Sequence, residues 1–195
     1  MDISLLVLIG LLVVVVGVIV SVFNNLVSKR NVWQNAFSQI EVQLKRRYDL
    51  IPNLVETAKG YMKHEQETLE NVIAARNQAS QILKAAAGGK GDIASIPGAE
   101  KALAGALGQL NVVMESYPDL KASANMQQLT EELTTTENKV SRARQFYNDA
   151  VTDYNTYRQS LPAVIFAGTF GHTSDASLLE FEDSQQMQAA PKVSF

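Results

Sequence analysis

Side chains that commonly perform chemistry are sparse in this chain of 195 residues. It has two histidines, His64 and His172, and no cysteine, which excludes disulfides, thiol catalysis and Cys-based zinc sites. A helical zinc site needs a second ligand three or four residues away on the same face, and the residues four before and after His64 are Gly60 and Thr68. We therefore expect no metal site, no cofactor and no catalytic centre.

The glycine-rich stretch Gly88-Gly89-Lys90-Gly91 has the composition of a phosphate-binding loop but not its spacing. No serine or threonine follows the lysine, and no strand pattern precedes the stretch, so it predicts a connection between helices. No G-x-S-x-G nucleophile elbow stands out elsewhere. The sequence thus predicts a protein that is not an enzyme.

The most unusual polar residues are three consecutive cations, Lys45, Arg46 and Arg47, with Asp49 two positions further on. Arg47 falls on the apolar seam of a predicted helix, where an unpaired charge is costly, so we expect a carboxylate from another helix beside it. The candidate partners are Glu131, Glu132 and Glu137. The alternative interpretation is that the four charged residues form a surface that binds a partner.

Apolar periodicity indicates the helices that would position these residues. One seam with three- and four-residue spacing begins at Trp33, and a second runs from Met126 to Leu161, as in long antiparallel helices or a coiled coil. Breaks at Gly88 and at prolines predict a middle helix over about 98–115 and a last helix over about 118–160. Ser95 is a candidate cap before the middle helix, and Pro52 should kink or divide the first one.

Residues 3–23 form an almost unbroken apolar run without a charge. At a rise of ~1.5 Å per residue this run reaches ~31 Å, the thickness of the hydrocarbon core of a bilayer. A cleaved signal peptide is the competing interpretation, but it would have a basic first region and a shorter apolar stretch. We therefore expect a retained transmembrane anchor that contacts lipid through residues 3–23.

The basic residues nearest to the run all follow it, beginning with Lys29 and Arg30. Since lysine and arginine near a span tend to stay in the cytoplasm, the N-terminus is expected outside and the body inside. The net charge is −3 and no long basic block is present, so nucleic acid is excluded as a main partner.

The predicted fold is all-α, with an anchor at residues 1–23 and an antiparallel up-down bundle of three to four helices at 24–161. The remaining residues, 162–195, are expected to form an irregular tail. Its scattered apolar side chains could pack on the bundle or on a neighbouring subunit. These predicted interface residues are Phe166, Phe170, Phe181, Val193 and Phe195.

The chain resembles the LemA family, above all in the sequence QLKRRYDLIPNLV at residues 43–55. The similarity recurs in YPDLKA at residues 117–122 and in the closing PKVSF at 191–195, and it covers essentially the whole chain. The resemblance implies a single-pass protein of the bacterial cytoplasmic (inner) membrane with a long helical bundle. The family is not defined by an enzymatic activity. Some relatives are associated with membrane remodelling, as in magnetosome formation, and others lie beside a membrane metalloprotease.

Two classes of function follow from these observations. The first is a scaffold that forms a homo-oligomer through its long helices and takes part in membrane organisation or remodelling. The second is an adaptor or regulator that docks another membrane protein, such as a membrane metalloprotease.

Overall fold

The computed structural model describes residues 3–180, and these residues form helices without any strand. The all-α prediction is confirmed, with an apolar N-terminal helix followed by packed helices. A 3₁₀ turn at Ile93–Ser95 precedes the third helix. The helices are α1 (Ile3–Lys59), α2 (Gln66–Ala87), α3 (Ile96–Met114), α4 (Pro118–Ala122), α5 (Ala124–Gln159) and α6 (Ala163–Ala167).

Helix α1 is uninterrupted from Ile3 to Lys59. An 18-residue window within it has a mean hydropathy of 3.3, and none of that window is buried. By length and composition, α1 is the one helix among residues 3–180 that could cross a membrane. No break in α1 separates the predicted anchor from the residues that follow it.

Pro52 does not divide the first helix, so the second of the two expected outcomes, a kink or a division, is wrong. A proline has no N–H to donate to the carbonyl four residues back, which here belongs to Tyr48. Arg76 on α2 supplies the missing donor, because its Nε donates to the Tyr48 carbonyl oxygen at 2.9 Å. A side chain from another helix thus replaces the backbone hydrogen bond that the proline removes.

The last long helix begins later than predicted. The segment expected as one helix over about 118–160 consists of α4 and α5, and Ser123 lies between them with an extended ψ of 124°. The Ser123 carbonyl oxygen accepts from the Gln127 N–H at 3.0 Å. Serine is favoured at helix ends because its side chain competes for backbone hydrogen bonds in a helix interior.

The connection between α2 and α3 follows the glycines, as predicted. Gly89 has a φ of 68°, a left-handed conformation that glycine tolerates at the end of a helix. Ser95 makes no capping bond to α3, contrary to expectation, and its hydroxyl donates to the Asp92 carbonyl oxygen at 2.6 Å. The Asp92 carboxylate instead caps the 3₁₀ turn, accepting from the Ala94 N–H at 2.9 Å.

The tail is not irregular throughout, because α6 lies within it. Ala163 and Ala167, one turn apart, are 0% and 2% exposed. Both pack in a buried cluster with Val22, Leu26 and Tyr154. Two small residues on one face let this short helix approach α1 closely.

The chain divides into two compact units, and each contains part of α1 and part of α5. Unit 1 comprises the described residues up to Phe37 together with Gln145–Leu178. Within it α1 and α5 run antiparallel: Lys29 pairs with Asp153 at 3.3 Å, and Phe37 contacts Tyr147 with ring centroids 5.9 Å apart.

Unit 2 comprises Ser38–Arg144 and the described residues from Leu179. Its core is formed by apolar residues from α1, α2, α3, α4 and α5, at the three- and four-residue spacing that the sequence predicts. Among its most buried side chains are Ile40, Leu44, Ile51, Val72, Leu103, Leu110, Leu120 and Met126.

Candidate functional site

The charged segment of α1 divides between the surface and the interior of unit 2. Lys45 and Arg46 are exposed, whereas Arg47 and Tyr48 are 7% and 2% exposed. Asp49 is exposed and pairs with Arg76 of α2 at 3.6 Å. The structure therefore separates the predicted charged residues into a buried arginine and three surface charges.

Arg47 belongs to a buried polar network that joins α1 to α3. Its Nη1 donates to Glu100 Oε2 at 3.1 Å, and the Tyr48 hydroxyl donates to Glu100 Oε1. Each oxygen of this carboxylate thus has its own donor, as a buried charge requires. The network fastens two consecutive residues of α1 to one residue of α3.

The electrostatics of Glu100 are set by opposing effects. Burial raises the pKa of its carboxyl, while the hydrogen bond from Tyr48 and the positive charge of Arg47 act in the opposite direction. The negative charge of Glu137 raises it further. Burial, followed by the charge of Glu100, raises the pKa of Tyr48, so this hydroxyl keeps its proton and remains a donor.

The carboxylate beside Arg47 is Glu100, not one of the three glutamates expected from the sequence. Glu137, one of those three, instead acts on Glu100 as a like charge. A signal for Glu100 does exist, because it lies four residues after Ile96 and three before Leu103, both buried. An acidic residue at such a seam position predicts a buried pair as well as the seam arginine does.

Unit 1 contains a cluster of aromatic side chains between α1, α5 and the segment after α6. The Trp33 ring lies 6.4 Å from that of Tyr147 and 6.3 Å from that of Tyr154. Burial raises the pKa of Tyr147 to about 12, and its hydroxyl donates to the Ser177 carbonyl oxygen at 2.7 Å. The Tyr154 hydroxyl lies 2.8 Å from His172 Nδ1.

The segment that follows α6 is fastened back onto α5. Arg158 Nε donates to Asp175 Oδ1 at 2.8 Å. Asn155 exchanges two hydrogen bonds with the backbone of Ala176, at 3.0 and 2.9 Å. Residues 160–174 therefore form a loop, containing α6, that is closed at its base by polar contacts.

The aromatic residues predicted for the tail interface are placed in part. Phe166 stacks on Phe170 with ring centroids 6.1 Å apart, and Phe170 meets Phe23 of α1 edge to face at 5.2 Å. Both therefore make contacts within their own chain. Phe181, Val193 and Phe195 lie outside the described residues.

His172 should make the stability of unit 1 fall as the solution becomes acidic. Burial, followed by the charges of Arg30 and Arg158, lowers the pKa of His172 below its ordinary 6.5. The neutral ring therefore makes its full contribution to the stability of unit 1 above about pH 6.5. This contribution is lost as the pH falls through the lowered pKa. We expect a lower thermal midpoint at about pH 5.5 than at about pH 7.5, measured by circular dichroism, and a smaller difference in His172→Gln.

His64 provides the matched control, because it is exposed in the connection between α1 and α2. His64→Gln should keep the pH dependence of the parent chain. An unchanged pH dependence in His172→Gln would contradict the prediction.

The described residues form grooves but no cluster that could hold a metal ion. Residues 3–180 contain no group of three or more His, Asp or Glu side chains that could hold a metal ion. An open groove of about 590 Å³ lies where α1 ends and α2 begins, and no serine, threonine or histidine lines it. Its lining is Val55, Lys59, Met62, Lys63, Gln66, Leu69, Glu70, Ile73, Ala74 and Asn77. Such a groove can accept an apolar segment but presents no nucleophile paired with a base.

Comparison with known proteins gives consistent matches. A family model described as the LemA family matches residues 36–195. Protein LemA of Metamycoplasma hominis is 32% identical over 136 residues, covering 68% of this chain and 58% of that protein. Magnetosome proteins MamQ 1 and MamQ 2 of Paramagnetospirillum magneticum are each 26% identical over 151 residues, covering 68% of this chain and 56% of each relative. The chain thus spans less than two thirds of these relatives, and none of their names is that of an enzyme.

Proposed function

This chain belongs to the LemA family, and from that premise we propose that it is a non-enzymatic scaffold that self-assembles at the bacterial cytoplasmic membrane. It is a membrane-associated protein, with an N-terminal apolar helix long enough to span a bilayer. The proposed role is the organisation of the membrane into which this helix inserts. Two relatives carry the name magnetosome protein, which accords with such a role.

The observation that carries the proposal is the continuity of α1. A flexible linker would let a tethered domain reorient, whereas here the apolar run passes directly into residues that pack against Tyr154 and α6. Val22 and Leu26, at the end of the run and just after it, are 2% and 0% exposed. The packed residues of unit 1 are therefore joined to the span by continuous helix, which favours regular repetition of subunits along a membrane.

Exposed apolar side chains supply surfaces for association. Phe146 of α5 is 50% exposed. It lies between Gln145, which is also exposed, and Tyr147, which is fully buried. Aromatic side chains are enriched at the contacts between protein subunits. We propose that Phe146 lies at a contact between copies of this chain.

The proposed topology follows from charge. Lys29 and Arg30 lie within the first two turns beyond the run, where basic residues favour the cytoplasmic side. We accordingly place the N-terminus outside the cell and the residues that follow the apolar run in the cytoplasm.

Measurement of particle mass tests self-assembly. The full chain, extracted in mild detergent, should form a discrete species with a mass that is a multiple of 21.3 kDa, and Phe146→Ser should shift it towards smaller species. Gln145→Ser, at the exposed neighbouring position, is the matched control and should keep the parent mass. Monomers of the parent chain, in detergent and in lipid discs alike, would overturn the scaffold.

Those monomers would instead favour the adaptor or regulator of another membrane protein. The groove between α1 and α2 supports this second candidate, because its lining combines apolar side chains with Lys59 and Lys63. Crosslinking from Lys63 to a single membrane protein, in cells that express a monomeric chain, would identify that role.

A further inference from the structure

We propose that the loop containing α6 is a second membrane contact, which lies in the lipid interface beside the point where α1 leaves the bilayer. The inference rests on the membrane-spanning character of α1 and is independent of self-assembly. Its occupant is the lipid of the leaflet from which α1 emerges near Phe23.

The depth of α6 follows from its contacts with α1. Ala163 and Ala167 pack in one cluster with Val22 and Leu26, and Phe170 meets Phe23 edge to face. With the hydrocarbon core ending near Phe23, Leu26 lies ~4.5 Å beyond it along the helix axis. Interfacial helices rest within ~5–10 Å of that boundary, so the packing of α6 on α1 places it in the same layer.

The outer face of this loop is apolar and largely exposed. Leu161, Val164 and Ile165 are 77%, 49% and 66% exposed. Phe23, beside Phe170, is itself 43% exposed. Moving large apolar side chains such as these from water into lipid is favourable, and they lie at the end of a membrane span.

The charge pattern agrees with a lipid environment. No Asp, Glu, Lys or Arg occurs between Arg158 and Asp175, and these two residues pair with each other at the base of the loop. Lys29 and Arg30 lie slightly further from the span, at the level expected for anionic headgroups. The loop is thus apolar where it would meet acyl chains, and charges begin where it returns to water.

Spin-label accessibility tests this placement in the full chain. Because the chain has no cysteine, Ile165→Cys carries a single nitroxide, and vesicles of phosphatidylethanolamine and phosphatidylglycerol provide the lipid. Oxygen partitions into lipid, whereas a nickel chelate stays in water, so the ratio of their collision rates with the label reports its surroundings. We expect this ratio to be several-fold higher at Ile165→Cys than at Val112→Cys. Val112 is the matched control, since it is 70% exposed on α3. A label at Val13→Cys, within the apolar run, gives the value expected for a position surrounded by lipid.

Two outcomes would overturn the proposal. Accessibility to nickel at Ile165 equal to that at Val112 would place the loop in water. Spin–spin broadening at Ile165, removed by dilution with unlabelled chain, would assign the face to a second copy. A label at Leu161→Cys, outside α6, gives the same comparison independently of any disturbance to that helix.

Discussion

Replacing Arg47 with alanine should lower the free energy of unfolding by about 3–5 kcal/mol, the usual cost of breaking a buried ion pair from one side. The guanidinium and its partner Glu100 are both almost fully buried, with side chains 9% and 4% exposed. The substitution leaves a carboxylate inside unit 2 with the Tyr48 hydroxyl as its donor and with Glu137 as a like charge. Thermal and urea unfolding followed by circular dichroism should show a clear decrease in the midpoint.

Arg46→Ala is the matched control, because Arg46 is the neighbouring arginine and is exposed. An exposed pair is worth about 0–1 kcal/mol, so this variant should unfold almost as the parent does. Equal midpoints for the two variants would assign Arg47 to a solvated surface.

The cost of Arg47→Ala should also depend on pH. Without the guanidinium, the pKa of Glu100 rises further, because the positive charge that opposed the effect of burial is absent. A carboxyl group whose pKa is raised by folding destabilises the folded chain when the solution is basic enough to ionise it. Protonation of the group at low pH removes this destabilisation. The difference in unfolding free energy between variant and parent should therefore be smaller at about pH 4 than at about pH 8.

A chain that begins at Ser21 should leave the membrane fraction and still melt cooperatively as a helical protein. It lacks residues 1–20, and among residues 3–20 every side chain except that of the half-buried Ile19 is exposed, so they contribute little to packing in unit 1. A span needs roughly 20 apolar residues, and too few remain. Fractionation followed by thermal unfolding measures both effects.

A chain that begins at Val27 is the matched comparison, and it should be less stable. It also loses Val22 and Leu26, which pack with Ala163, Ala167 and Tyr154. Loss of a buried leucine side chain alone costs about 2–5 kcal/mol. Equal midpoints for the two shortened chains would show that this cluster does not stabilise unit 1, and absence of helical signal in both would make lipid part of the fold.

The helices were predictable because their evidence is local. Spacing of three and four residues marked the buried faces of α1 and α5, and the glycines at 88–91 marked the end of α2. Arg47 was recognisable for the same reason, since a charge on an apolar seam contradicts the local pattern.

The remaining features depend on contacts between distant parts of the chain. Helix α6 is too short to have a readable period, and its position is determined by packing of Ala163 and Ala167 on residues about 140 positions earlier. Glu100 could be assigned to Arg47 only once α3 was known to pack beside α1. The continuity of α1 at Pro52 was not predictable either, because the hydrogen-bond donor that replaces the missing N–H comes from α2. The residues around the proline give no indication of that donor.

That donor has a consequence for specificity. The interior of a long helix normally presents no free carbonyl, so two such helices can slide past each other by a turn at little cost in hydrogen bonding. Pro52 leaves one acceptor in α1, at Tyr48, and the arginine that reaches it occupies one position in α2. A slip of one turn would separate this pair by about 5.4 Å and leave the carbonyl without its partner. The proline thus gives an otherwise repetitive apolar seam a single correct alignment.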